Sequence, residues 1–286
     1  MRGLALSGGG IKAAAHIGAL KAFEEKNIKF DCVSGASSGS IIATMYALGY
    51  NSDEMWKMFK RYCKKITYVE WKQILKMIVG LLFTRRLVID GLNSGKVIEK
   101  IIKEICEDSQ IENINQIKMP LMISMVDLQK GTVYIASSKE VRANLLDNTK
   151  YITDIPIGSA VRASSSFPAF FCPYEYKDHI FLDGGTIDNI PVNEVKLQGA
   201  DKVITVNFKP IEIESKSNVM DIILRTIDIM GNKIIEDDVE KSDFILTIPT
   251  DDEIGFLDSN QIEKCYKCGY KTAMEKMDEI HKILSE

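Results

Sequence analysis

Short apolar segments alternate with amphipathic ones along the first fifty residues. Gly3 to Leu6 is apolar and breaks at once into Gly8-Gly9-Gly10, which predicts a strand and a glycine loop. From Ile11 to Lys26 the pattern turns helical. Ala15, Ala19 and Ala22 share one face, Ile17, Leu20 and Phe23 the adjoining one, and Glu24-Glu25-Lys26-Asn27 ends it. Lys29 to Val33 is apolar at alternate places and reads as a strand; Ser40 to Leu48 reads as the next helix. Further strands are predicted at Leu121 to Val126, Val133 to Ala136, Ile180 to Leu182, Lys202 to Val206 and Phe244 to Ile248. Further helices are predicted at Gly95 to Cys106, Val192 to Gln198, Asn218 to Asp237 and Ser259 to Ser285. Strands alternating with helices argue an α/β fold with a mainly parallel sheet. At 286 residues, without repeats or a low-complexity linker, one domain is the simplest organisation.

Charge changes the picture in one region. Between Lys57 and Arg86 stand nine Lys/Arg and one acid, Glu70. Trp71, Ile74, Leu75, Ile78, Leu81 and Leu82 recur there at helical spacing. Two readings are open: a helical cap insertion packed on the body at about 51–92, or a basic amphipathic helix in peripheral contact with an anionic membrane surface. The span 212–263 is the counterweight, with fourteen Asp/Glu and four Lys/Arg, and reads as a solvated face. A net charge of -4 argues against a dedicated nucleic-acid binder. The longest apolar run, Met77 to Phe83, is too short to span a bilayer. With no secretory signal, the six scattered cysteines read as reduced thiols of a cytoplasmic protein. Cys265-x-x-Cys268 lacks a partner pair at metal-ligand spacing and falls in a helical pattern.

Gly35-Ala36-Ser37-Ser38-Gly39 joins a predicted strand to a predicted helix. A Gly-x-Ser-x-Gly turn in that setting is a nucleophile elbow, which exposes the serine hydroxyl on a sharp bend; glycine is needed at 35 and 39 because neighbouring strands leave no room for a Cβ. A serine needs a base, and none of the three histidines suits. His281 is near the C-terminus, His179 precedes a strand in a polar turn, and His16 lies beyond the first turn of its helix. Asp183-Gly184-Gly185 is better placed, directly after a strand; a buried aspartate has a raised pKa and serves as a base near neutrality. Its bland alternative is a turn-capping aspartate. The loop Gly8, Gly9, Gly10 offers backbone N–H groups at a helix start for an oxyanion. Lys12 is a possible anion contact, with solvent exposure as the alternative. The same loop admits a dinucleotide reading with Asp31, but Asp31 falls inside or before its strand rather than at its end.

Four blocks together carry a resemblance: Ser7 to Leu20, GASSG, Arg162 to Pro173 (RASSSFPAFFCP) and Phe181 to Val192 (FLDGGTIDNIPV). In order and spacing they resemble the patatin-like phospholipase family. The resemblance implies a three-layer α/β/α fold, a Ser37–Asp183 dyad without histidine, an oxyanion hole from the Gly8-Gly9-Gly10 backbone, and hydrolysis of lipid acyl esters through an acyl-enzyme. It implies no metal and no cofactor. The family's Arg-Gly after the loop is Lys12-Ala13 here. Residues 51–120 carry no match and are expected to shape the acyl pocket, with Phe167, Phe170 and Phe171 as candidate walls. Acyl transfer through the same dyad, and a non-catalytic lipid- or partner-binding member of the fold, are the alternatives.

Overall fold

The computed structural model describes residues 1–84, 90–107, 109–141, 148–209, 241–250 and 258–285, together with 222, 225, 226 and 229. The predicted helix Asn218 to Asp237 and most of the acidic span lie outside the described residues.

The chain opens with β1 (Arg2–Leu6), a 3-10 turn at Gly10–Lys12, α1 (Ala13–Glu25), β2 (Cys32–Ala36) and α2 (Ser38–Ala47). Then come α3 (Ser52–Ile66), α4 (Trp71–Thr84) and α5 (Lys96–Glu107). β3 (Leu121–Asp127), β4 (Thr132–Ser137), β5 (Thr149–Ile152) and α6 (Ile157–Ser164) follow, then β6 (Tyr174–Tyr176), β7 (His179–Asp183), α7 (Val192–Leu197), β8 (Lys202–Phe208) and β9 (Phe244–Ile248). Two helices, α8 (Ile262–Glu275) and α9 (Met277–Ser285), end the described chain.

The sheet order is β5-β4-β3-β2-β1-β8-β9. The run from β3 to β9 is parallel, whereas β4 and β7 each pair antiparallel with β3. Strand alternation divides the core between the two faces. Leu4, Leu6, Val33, Ile204 and Val206 join the larger cluster, which α1, α2, α3, α5, α6 and α8 cover. Ala5, Cys32 and Val203 join the smaller one with Val192 and Val195 of α7. The result is three layers, α/β/α, with a thick helical layer on one side and a thin one on the other.

Several elements depart from the expected pattern. The second strand begins at Cys32, not Lys29, and runs into the elbow; Asp31 instead accepts the Arg2 amide at the start of β1, away from the sheet end a dinucleotide site would use. Arg162 to Ser164 close an eight-residue helix, in which the arginine is buried rather than solvated. The C-terminal helix is two helices, broken at Lys276.

The basic stretch is also split. A capping box between Asn51 and Glu54 starts α3, which buries Met55, Phe59, Tyr62 and Cys63. The chain turns at Thr67–Glu70, where Glu70 Oε1 accepts from both Ser94 N and Ser94 Oγ and the Tyr68 carbonyl accepts from Asn93 Nδ2. Then α4 begins. Among the described residues no helix is long and apolar enough to cross a membrane.

Candidate active site

β3 serves as the ruler for the site. On one of its edges β2 pairs with residues up to Ser124, with Ala36 level with Ser124. β7 then takes over the same edge from the opposite direction, with Asp183 level with Met125. The C-terminal ends of β2 and β7 therefore point at each other. Ser37, one residue beyond Ala36, meets Asp183 across that junction.

Ser37 sits at φ 50°, ψ −127°, the strained backbone of an elbow. Glycines make it possible. A Cβ on Gly35 would lie 2.6 Å from the Gly39 carbonyl, and one on Gly39 2.5 Å from the Leu6 and Ser7 carbonyls. The Ser37 amide is taken by Ser164 Oγ at 2.9 Å, and its carbonyl accepts from Ser40 Oγ at 2.6 Å.

Asp183 is 1% exposed. Its Oδ1 accepts the Gly185 amide at 2.8 Å, and its own amide donates to the Ser166 carbonyl at 3.2 Å. Oδ2 is buried with no full hydrogen bond. Burial raises the Asp183 pKa to about 7, opposed by the Ser37 hydroxyl, the Gly185 amide and the Arg162 charge. The Ser37 hydroxyl is thus on the side of the charged carboxyl, short of a full hydrogen bond to Oδ2. Gly184 lets the turn press on β3, since a Cβ would fall 2.2 Å from Ser124 Oγ.

The glycine loop lies against the elbow, a Cβ on Gly8 being 2.9 Å from Ser37 Cβ. Its amides are not uniformly open. Gly8 N donates to Asn189 Oδ1 at 3.0 Å and Gly9 N to Ser38 Oγ at 3.2 Å. Gly10, at φ 60°, makes no amide hydrogen bond to a described residue. Lys12 is 4% exposed, so it is not the solvated lysine of the alternative reading; its charge lowers the Cys265 pKa against the larger effect of burial, which pushes that thiol to about 11.

The histidines stand apart. His16 is buried, held to the Ser7 carbonyl through Nε2 and tilted against the Phe208 ring, and burial lowers its pKa to about 4. His179 pairs with Asp127 at the opposite end of β7 from Asp183. His281 is on α9.

Four further residues bind these parts together: Ser164, Ser166, Arg162 and Asn189. Ser164 and Ser166 tie α6 to both Ser37 and Asp183. Arg162, 1% exposed, donates to Ser166 Oγ, the Ser94 carbonyl and the Cys172 carbonyl, between the rings of Phe171 and Tyr174. Asn189 links the Asp183 turn to the glycine loop. The only signal for these was a cluster of polar residues inside otherwise apolar blocks.

An apolar crevice opens beside Ser37, walled by Ile41, Phe59, Ile66, Ile98, Phe167 and Phe171. Phe170, the third candidate wall, is core. Ser165 also lines the crevice, and its hydroxyl is buried without a partner. The room inside is about 50 Å³, against roughly 300–1,000 Å³ for typical ligand pockets. Among the described residues no group of His, Cys, Asp and Glu is placed to hold a metal.

The chain is similar to known proteins along most of its length. It is 32% identical to the uncharacterized protein YqhO of Bacillus subtilis over 221 residues, covering 74% of this chain and 73% of that one. It is 26% identical to lysophospholipase NTE1 of Candida albicans over 230 residues, 77% of this chain but 14% of that protein. The mouse patatin-like phospholipase domain-containing protein 6 is 27% identical over 206 residues, 71% of this chain and 13% of that protein. The chain therefore spans only about a seventh of those two long relatives. In fold it is similar to VipD from Legionella pneumophila (TM-score 0.51, 14% identity, 97% of this chain and 67% of that one). The human GIVD cytosolic phospholipase A2 is also similar (TM-score 0.51, 8% identity, 100% and 58%). The family model described as Patatin-like phospholipase matches residues 4–196, which hold the elbow, the glycine loop and the Asp183 turn alike: the chain belongs to the patatin-like phospholipase family.

Proposed function

We propose that this chain hydrolyses carboxylic esters of lipids with Ser37 as nucleophile and Asp183 as base. The observation that carries the reading is the meeting of a strained serine with a buried aspartate whose pKa is raised to about 7. Ser37 Oγ attacks the ester carbonyl carbon while its proton passes to Asp183. The carbonyl oxygen becomes an oxyanion, held by the Gly10 amide and by that of Gly9 as Ser38 Oγ swings away. Gly8, fixed by Asn189, holds the loop in place. Asp183 returns the proton to the leaving alcohol, and an acyl-enzyme remains. Water then gives its proton to Asp183 and attacks the acyl carbon. Free fatty acid leaves as Ser37 recovers its proton.

A serine–aspartate pair at this pKa works without histidine because burial supplies the basicity that an ordinary carboxylate lacks. The crevice matches an acyl chain in its apolar lining rather than in its present room, so its walls on α3 and α5 must part to admit one. The names of the lysophospholipase relatives point to the same substrate class. The partner is thus a lipid or ester substrate.

Release of free fatty acid from mixed phospholipid vesicles tests this. Wild type is expected to be active, with Ser37→Ala and Asp183→Asn, each folded, reduced at least about 10³-fold. Equal activity in all three would place the chemistry elsewhere.

A further inference from the structure

The face of α4 is unlike any other in the described chain. Trp71, Ile74, Leu75, Ile78, Val79 and Phe83 follow the spacing of one helical face, and all are exposed, Trp71 by 60% and Phe83 by 83%. Tyr68 continues the face just before the helix. The side chains of Leu81 and Leu82 lie outside the described ones. Large apolar side chains grouped this way on a soluble surface mark a place of contact.

Charge says with what. Lys72 and Lys76 flank the apolar face and are exposed. The neighbouring helix α3 turns its own apolar side to the body, so its outer side is left with Lys57, Lys60, Arg61, Lys64 and Lys65, all exposed. Sequence alone suggested one amphipathic helix carrying both properties. The fold instead separates them in the main, with five exposed cations on α3 and the exposed apolar groups, beside only Lys72 and Lys76 among the described side chains, on α4. Such a pairing suits headgroups on one side and acyl chains on the other.

We propose that α3 and α4 together form a docking surface for an anionic phospholipid bilayer, α4 lying in the interface and α3 facing the headgroups. The inference rests on the lipid-hydrolase reading in one respect, the link to the crevice. Cys63, Ile66 and Thr67 at the end of α3 wall the crevice at Ser37, and four residues after Thr67 the chain is in α4. A docked α4 therefore brings the crevice wall to the lipid surface, where a substrate chain enters without crossing water.

The chain has two tryptophans. Trp56 is stacked on Tyr266, so Trp56→Phe leaves Trp71 as reporter. The measurement is its fluorescence with phosphatidylcholine vesicles and with vesicles containing phosphatidylglycerol, in a Ser37→Ala background so that no lipid is consumed. The expected result is a blue shift with the anionic vesicles, and partitioning at least tenfold weaker to the neutral ones or at high salt. Replacing Lys57, Lys60, Lys64 and Lys65 by Gln should weaken partitioning similarly, and Ile78→Asp with Phe83→Asp should abolish it, with circular dichroism unchanged. No shift with either vesicle overturns the proposal, as does equal binding to both. A dimer in sedimentation that Ile78→Asp dissolves, without vesicle binding, would assign the face to a second copy instead. Docking without fatty-acid release from wild type would sink the hydrolase reading alone.

Discussion

Ser164 Oγ accepts the amide hydrogen of Ser37 at 2.9 Å, so the strained elbow is held by a helix 127 residues away in sequence. Two residues on, the Ser166 carbonyl accepts the Asp183 amide. The end of α6 and the two residues after it thus set the separation of Ser37 and Asp183.

Removing Ser164 Oγ leaves a buried amide unpaired at a backbone that already stores strain. Ser164→Ala is expected to lose about 1–3 kcal/mol of stability, and to lower kcat more than it raises KM. Ser165→Ala has the opposite sign, since its hydroxyl is buried without a partner. Its midpoint in urea should stay level or rise. Urea titrations of the two variants side by side check both; equal losses would contradict the assignment.

Asp183 makes stability and activity move oppositely with pH. Its folded pKa of about 7 stands above its ordinary value of 3.8, so between those values the folded state holds a proton that the unfolded chain has released. Stability should therefore fall as pH rises through that window, by up to roughly 4 kcal/mol from this group. The deprotonated base appears over the same range, so kcat/KM should rise through pH 7. Asp183→Asn should flatten the stability slope while removing activity. Fatty-acid release and thermal unfolding from pH 4 to 8 measure the two.

His16 opposes that slope on the acid side. Its pKa, lowered to about 4 by burial, means the unfolded chain binds the proton first, below about 6.5. Stability should fall as pH drops from there towards 4. His16→Gln should remove this part of the acid sensitivity, read from midpoints at pH 5 and 7.

Arg162 is buried away from solvent, and its charge lowers the Asp183 pKa. Arg162→Met should move the acid limb of the kcat/KM profile to higher pH, a change that lost packing alone would not produce. Arg162→Lys should also be costly, at roughly 3–5 kcal/mol, because one ammonium cannot span acceptors on Ser166, Ser94 and Cys172. Gly95→Ala should resemble it: φ is 68° there, and a Cβ would lie 2.1 Å from Arg162 Nε.

Much of this was legible in the sequence where local pattern decides. The strand–glycine–helix start, the elbow and the strand before Asp183 each follow from apolar periodicity broken by glycine. What was not legible depends on distant contacts. Nothing in Arg162-Ala-Ser-Ser-Ser166 says that its arginine is buried, because the carbonyls that receive it come from Ser94 and Cys172. The turn between α3 and α4 was hidden for the same reason, as Glu70 and Tyr68 are fixed by Ser94 and Asn93. β5 and β6 are short, half-buried strands with little alternation to mark them.

Helices α1 and α8 cross with their backbones in contact: a Cβ on Gly18 would fall 2.0 Å from the Tyr266 carbonyl, and one on Gly269 2.0 Å from that of Ala15. Phe208, at the end of β8, lies under Gly9 in the same way. Both supports come after residue 196, where the family match stops. The reacting groups and the frame that aims them thus have different boundaries. A fragment trimmed to the matched residues would keep Ser37, Asp183 and the glycine loop and lose the clamp that positions them, so the matched two thirds of this chain is not expected to work as a portable module.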